Sequence, residues 1–224
     1  MKSIAAAIFD FDETIIDLEP QHTAAYAAVC RAMGSDYWQL PESFRKRSGS
    51  RIVDDIRDMR THFGWTPSVD ELMSIRLRAF DELCRTSSLE LLPGAEKTIR
   101  DLHDLGIPLA IATSAVASSI DLLLRRFDLR DCFDLIVDGS DVVHGKPDPE
   151  AYLVSAKKLG VDARECVVFE DSHVGVLAAK RAGAYCVAVP NRHAQEHQDL
   201  SMADLVLDSF ERLDVRTAFA PKAR

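Results

Sequence analysis

Four acidic residues, one lysine and a Thr-Ser pair mark where this sequence could do chemistry. The stretch Ile4–Asp17, IAAAIFDFDETIID, runs six apolar residues, Ile4 to Phe9, into Asp10, Asp12 and Glu13. A short unbroken apolar run fits a strand buried on both faces of a parallel sheet. Aspartates at i and i+2 where that strand ends can point the same way, into the crevice outside the strand ends where open α/β sheets bind ligands. Two carboxylates held together repel each other unless something positive lies between them, and a hard cation with oxygen ligands, such as magnesium, answers that need. Three more polar clusters lie at or soon after the ends of predicted strands: Thr113-Ser114, Lys146 in HGKPDPE, and Glu170-Asp171. Strand ends alone bring these together in one crevice. The set is complete for phosphoryl transfer: a carboxylate nucleophile, a second carboxylate for the proton, a hydroxyl and a lysine for phosphate oxygens, and further carboxylates for a metal. Acyl transfer would want a nucleophilic Ser or Cys beside a positioned His, and the strand ends offer no such pair.

The elements that must position these groups follow from periodicity and punctuation. After the opening strand, residues 20–33 read as a helix entered through Pro20 and stopped by Gly34. Residues 41–47 form a short basic helix or turn. Ile52, Val53, Ile56, Met59 and Phe63 make a helical stripe closed by Gly64. Ser68, with Asp70 and Glu71 behind it, caps a longer helix running to about Cys84. Residues 18–88 thus predict helices only, inserted after the first strand. From Leu91 onward strand and helix alternate: helix 93–105, strand 108–112, helix 116–127, strand 133–137, a helix entered through Asp148-Pro149 and ended by Gly160, strand 166–169, helix 173–182 and strand 185–189. Residues 205–207 offer one more strand before a tail that frays. Repeated βα units mean a parallel sheet with helices on both faces. The fold class is α/β: a doubly wound, Rossmann-like parallel-sheet core (1–17 and 89–224) interrupted by a small all-α cap (18–88).

Composition bounds the partners. The chain has 224 residues, 27 Lys and Arg against 36 Asp and Glu, so 27 − 36 = −9. That balance argues against a sequence-blind grip on nucleic acid or on an anionic membrane. No apolar stretch approaches the roughly 20 residues of a spanning helix, and the N-terminus enters a strand without a signal-peptide pattern. Five scattered cysteines (Cys30, Cys84, Cys132, Cys166, Cys186) without a CxxC read as reduced, mostly buried thiols of a cytoplasmic protein. The expected partner, from the strand-end groups, is a small-molecule phosphate ester; a monomer or weak homodimer is expected, though composition does not determine the oligomeric state.

Taken in order, DFDET, ATS, GKPDPE and FEDSHVGVLAAKRAG resemble the four motifs of the haloacid dehalogenase superfamily of phosphatases and phosphomutases. The resemblance covers nearly the whole chain and is closest to the branch with a small helical cap, that of beta-phosphoglucomutase and sugar-phosphate phosphatases. It implies that Asp10 attacks phosphorus and forms an aspartyl-phosphate. Asp12 would protonate the leaving oxygen and later activate the water or hydroxyl that breaks the intermediate. Magnesium would sit among the Asp10 carboxylate, the Asp12 backbone carbonyl and Asp171, with Glu170 contributing directly or through water. Thr113 and the Ser114 backbone N–H would hold phosphoryl oxygens, and Lys146 would pair with the phosphoryl group and Asp10. In the cap, His22 and Arg51 fall where sugar-phosphate enzymes of the family place a histidine near the proton-transfer aspartate and an arginine that meets phosphate.

Plainer readings stand beside these. Asp10 and Asp12 are common turn residues, Thr113 would also serve as N-cap of helix 116–127, and Glu170-Asp171 would suit a helix's first turn. The segment around Lys146 is a fair turn into a capped helix, Arg51 a solvated helix-start cation, and His22 a structural histidine on a half-buried face. Met33, Met59 and Met73 are filler. Two features depart from the family: Glu13 stands where glycine is usual, able to disturb the turn or to select substrates. The mutase's cap lysine falls near Ala79, with Arg76 and Arg78 the nearest cations. Three functions follow: a magnesium-dependent phosphatase of a small metabolite, such as a sugar phosphate; a phosphoglucomutase; and a non-catalytic phosphate-binding module.

Overall fold

The computed structural model describes residues 2–45, 51–190 and 199–222. The chain divides into two compact units, residues 1–17 with 90–224, and residues 18–89.

The opening apolar run is two strands rather than one. β1 (Lys2–Ile4) and β2 (Ala6–Phe9) are separated at Ala5, whose N–H donates to Glu165 O at 2.7 Å. The break lets β2 run through the main sheet while β1 turns aside to another partner. The Asp10 end of the run is unaffected.

The helical unit contains α1 (Glu19–Ala32), α2 (Glu42–Arg45), α3 (Ile52–Phe63) and α4 (Val69–Thr86). Pro20 lies in the first turn of α1, where its missing N–H costs nothing. Gly64 closes α3 at φ 67°. Ser68 and Glu71 form a reciprocal capping box on α4, the Ser68 hydroxyl accepting from the Glu71 N–H at 3.3 Å and the Glu71 carboxylate accepting from the Ser68 N–H at 2.7 Å. α1 packs along α4, and α3 against α4, burying Ala25, Val29, Ile56, Met59, Leu72 and Phe80. Of the basic turn expected over 41–47, residues 46 and 47 lie outside the described residues.

In the second unit the chain continues through α5 (Ala95–Asp104), β3 (Leu109–Ala112), α6 (Ala117–Arg126), β4 (Leu135–Val137), α7 (Glu150–Lys158), β5 (Cys166–Glu170), α8 (His173–Arg181), β6 (Tyr185–Ala188) and β7 (Leu205–Val206). Among the described residues six strands form one parallel sheet in the order β4-β3-β2-β5-β6-β7. β2, β3 and β5 are fully buried along their lengths, which is why they read as unbroken apolar runs. The order reverses beside β2, so the C-terminal ends of β2, β3 and β5 flank the switch point where such sheets form a crevice. The doubly wound reading holds.

As far as residue 222 the tail does not fray. α9 (Val215–Ala218) leads into β8 (Phe219–Pro221), which pairs in parallel with β1. Phe210 and Phe219 pack on Phe169, at ring-centroid distances of 5.6 Å and 6.3 Å, and Phe210 lies 6.4 Å from Phe9. Burying two aromatic rings holds a segment whose three-residue strand, ending in Pro221, is too short to announce itself in the sequence. All five cysteines are buried and none is in a disulfide among the described residues, and no helix among the described residues is long and apolar enough to cross a membrane.

Candidate active site

The site is built at the ends of the three central strands. Asp10 follows β2, is 7% exposed, and donates its N–H to Phe169 O on β5 at 2.9 Å. The β2–β5 register therefore sets where its carboxylate starts. Lys146 comes from the loop between β4 and α7. Its Nζ donates to Asp10 Oδ1 at 2.5 Å, Glu170 Oε1 at 2.6 Å and Ala112 O at 3.3 Å. Three ammonium protons meet three acceptors, from β3, β5 and the residue after β2, and the lysine side chain is 3% exposed. This placement excludes the reading of Lys146 as a solvated turn residue.

Glu170, the last residue of β5, is completely buried. Its Oε1 also accepts from the Tyr152 hydroxyl at 2.5 Å; its Oε2 accepts from the Asp171 N–H at 3.0 Å, the Ser172 N–H at 3.1 Å and the Ser172 hydroxyl at 3.0 Å. Asp171 is held more loosely. Its Oδ1 accepts from the Thr14 hydroxyl at 3.4 Å, and its Oδ2 is buried with no hydrogen-bond partner.

Electrostatics separates the three acids. Burial raises the Asp10 carboxyl from 3.8 to about 7, against the pull of Lys146 and with a push from Glu170. Burial, with the neighbouring Glu170, Asp10 and Glu13 charges, drives Asp171 well above the ordinary range. Glu170 goes the other way: burial opposes its charge, but Lys146 and the donors around it hold its pKa below the usual value. Burial pulls the Lys146 ammonium down, and the Asp10 and Glu170 charges more than restore it, so it stays protonated. With all three acids ionised the cluster carries −3 + 1 = −2. An oxygen of each of Asp10, Glu170 and Asp171 lies within 4.8 Å of the others. An all-oxygen donor set, a deficit of two charges and the partnerless Asp171 Oδ2 fit a hard divalent cation.

Thr113 directly follows β3 and is 4% exposed, donating its N–H to Val137 O at 3.0 Å. It is not the cap of α6. Its hydroxyl accepts from the Ala115 N–H at 3.0 Å, while the first N–H of α6, that of Ala117, is taken by Asp138 Oδ2 at 2.8 Å. An acid at the end of the neighbouring strand is better aimed than a hydroxyl four residues upstream. Ser114 follows Thr113 and is half-buried; Asp12 sits half-buried in the turn after β2, in an isolated bridge with Ile16. Glu13 does not disrupt that turn. It takes a left-handed backbone (φ 64°), is 8% exposed, and donates its N–H to Ile16 O at 2.8 Å. Glycine would sit there without strain.

His22 and Arg51 belong to the helical unit. His22 on α1 stacks on Phe80, 4.6 Å between ring centroids, and its Nδ1 meets the Arg76 guanidinium. Because arginine only donates, that contact requires Nδ1 to be the acceptor. Arg76 is 1% exposed, stacked over Phe80 at 4.6 Å and Tyr26 at 5.2 Å, so it is committed to the interior of its own unit. Arg51 precedes α3 and donates from Nε to Asp54 at 2.7 Å.

Four further residues shape the site: Thr14, Ser172 and Gly175, which lie within the quoted motifs but had no role assigned from sequence, and Tyr152, which lies outside them. A lone tyrosine on an apolar helix face reads as core. Gly175 in the first turn of α8 was the available signal, since glycine inside a helix usually has a packing reason.

A family model described as haloacid dehalogenase-like hydrolase matches residues 4–183. The chain belongs to that family. Curated relatives match it over nearly its full length. Hexitol phosphatase B of Escherichia coli (strain K12) is 32% identical, with 96% of each chain covered. Among solved structures, a CbbY variant from Rhodobacter sphaeroides in complex with xylulose-(1,5)bisphosphate superposes with a TM-score of 0.86 at 28% identity, covering 94% of this chain and 96% of that one. The beta-phosphoglucomutase of Clostridium difficile superposes with a TM-score of 0.81 at 25% identity, covering 96% of this chain and 95% of that one.

Proposed function

We propose that this hydrolase is a magnesium-dependent phosphatase of a small phosphorylated metabolite of carbohydrate type, working through an aspartyl-phosphate. The observation that carries the reading is the buried Lys146 bridge between Asp10 and Glu170, with the open oxygen of Asp171 beside it. A carboxylate kept beside an ammonium, at the end of a strand and largely shielded from water, is a nucleophile with its charge stabiliser already in position.

Asp10 forms the oxygen–phosphorus bond as the bond to the ester oxygen breaks. Asp12 gives that leaving oxygen its proton, then takes one from the water that displaces phosphate from Asp10. Lys146 exchanges one of its three acceptors for a phosphoryl oxygen, and the Thr113 hydroxyl and Ser114 N–H take others. Asp10, the Asp12 carbonyl and Asp171, with Glu170 directly or through water, would hold magnesium, which supplies positive charge against the developing charge on the phosphoryl oxygens. His22 and Arg51 are proposed contacts for the rest of the substrate and its phosphate.

Names of relatives support the substrate class: hexitol phosphatase B among sequences, and CbbY with a bound sugar bisphosphate among structures. The likeness to a beta-phosphoglucomutase keeps a second reading, transfer of phosphate to a second sugar hydroxyl. The buried commitment of Arg76 and the absence of a lysine at position 79 weigh against it. The deciding experiment is a phosphate-release screen over a metabolite panel with and without magnesium. Release should require the metal and disappear in Asp10→Asn; a variant as active as wild type would end this reading. Conversion of glucose 1-phosphate to glucose 6-phosphate without free phosphate would favour the mutase.

A further inference from the structure

Glu170 is the most heavily bonded side chain of the site, and two of its donors, Lys146 and Tyr152, come from outside the segment that carries it. Three of its five hydrogen bonds come from Asp171 and Ser172, the next residues in the chain, and a fourth from Lys146. The fifth is the Tyr152 hydroxyl, on α7, at 2.5 Å from the same Oε1 that Lys146 uses. Tyr152 is completely buried, and its ring lies under the Lys146 ammonium, 5.2 Å from Nζ to the centroid. Gly175 faces the carboxylate from α8: a Cβ there would lie 1.8 Å from Oε1.

We infer that Tyr152 is a positioning residue for phosphate binding, acting through Glu170 to keep Lys146 exchangeable. The inference rests on the phosphatase reading above. Lys146 arrives with all three protons bound, so it meets a phosphoryl oxygen only by loosening one acceptor. Oε1 divided between Lys146 and the tyrosine hydroxyl holds each donor less tightly than it would hold one alone. Without the hydroxyl, Oε1 keeps Lys146 as its one donor among the described residues, and the ammonium is drawn back onto Glu170. Tyr152 touches neither the reacting atoms nor any proposed metal ligand other than Glu170 in the described contacts, so it is not itself catalytic.

The test is calorimetric titration of inorganic phosphate into the magnesium-loaded protein, as wild type, Tyr152→Phe, Glu170→Gln and the double variant. Phenylalanine keeps the ring beneath Lys146 and removes only the donor. Tyr152→Phe should weaken phosphate binding about tenfold, the low end of what a hydrogen bond to a charged group is worth, with a fall of a few degrees in melting temperature from the same lost bond. In the Glu170→Gln background, removing the hydroxyl should change affinity no further. Unchanged affinity in Tyr152→Phe, or the same loss whether residue 170 is Glu or Gln, overturns the proposal, because the effect would then bypass Glu170. Should Tyr152→Phe not fold, Tyr152→Met decides in the same titration: affinity equal to wild type overturns the inference, and a loss that vanishes in the Glu170→Gln background sustains it. Wild type that binds phosphate but hydrolyses no ester would end the phosphatase reading while leaving this readout intact. Wild type that binds no phosphate would end the positioning claim.

Discussion

At the scale of single residues, the site keeps acids of unlike character side by side. Asp10 and Asp171 are pushed up, Asp10 to about 7, while Glu170 is held down. The consequence for stability has a definite sign. Asp10 and Asp171 keep protons in the native state at a pH where the unfolded chain, with carboxyls near 3.8, has lost them. Their contribution is therefore fully present below about pH 4; that of Asp10 is lost as pH rises through about 7, and that of Asp171 as pH rises through its own raised pKa. Glu170 contributes oppositely, but its window lies at and below its ordinary 4.5. Between pH 5 and 8 the metal-free protein should lose melting temperature as pH rises. Magnesium should raise melting temperature more at pH 8 than at pH 5, because at pH 8 it meets ionised acids rather than displacing protons. Thermal melts with and without chelator across that range check both; a flat profile would show that these carboxyls are not perturbed together.

Secondary-structure elements matter here through their ends. The N-terminus of α8 carries Ser172, whose hydroxyl accepts from the Gly175 N–H at 3.1 Å and donates to Glu170, so one residue both caps the helix and binds the site. Gly175 completes that arrangement. Glycine to alanine inside a helix ordinarily gains about 0.5–1 kcal/mol, but here the added methyl would occupy the Glu170 carboxylate's space. Gly175→Ala should instead destabilise by about 3 kcal/mol, the order of one or two lost hydrogen bonds to a buried charge, and phosphate release should drop sharply. Urea unfolding and an activity assay measure the two effects.

These elements also mark what the sequence made legible. Apolar runs ending in Asp10, Thr113 and Glu170 located three strand ends, because a strand buried on both faces has few other ways to read. The break at Ala5 was hidden since both flanking segments are apolar, and only the pairing partner differs. The return of the tail through β8 was hidden for the opposite reason: its order comes from Phe210 and Phe219 packing on Phe169, distant in sequence. Tyr152 was invisible because a ring and a hydroxyl occupy one residue, and the pattern of α7 reports only the ring.

On the scale of the whole molecule, the inserted helices leave and rejoin the α/β unit at neighbouring points. Ile16 forms an antiparallel bridge with Leu91, and the Leu92 N–H donates to Ile15 O at 2.8 Å. The two chain ends bordering residues 18–89 are thus already joined within their own unit, at the roughly 5 Å separation of bridged strands. Closing that gap needs only a tight turn, and short loops carry a small closure entropy. The α/β unit also has its own core, with Ile8, Ala110, Val168, Val176 and Cys186 fully buried in one cluster. Replacing residues 18–89 with a four-residue Gly/Ser linker should therefore leave a cooperatively folding protein that magnesium still stabilises, since Asp10, Lys146, Glu170 and Asp171 all remain. Under the proposed roles of His22 and Arg51, it should bind inorganic phosphate weakly and hydrolyse sugar phosphates poorly. Circular dichroism melts with and without magnesium test the first half, and steady-state phosphate release the second. A non-cooperative melt would mean that the α/β unit depends on the helices for its fold. Full activity toward sugar phosphates would remove His22 and Arg51 from any part in substrate recognition.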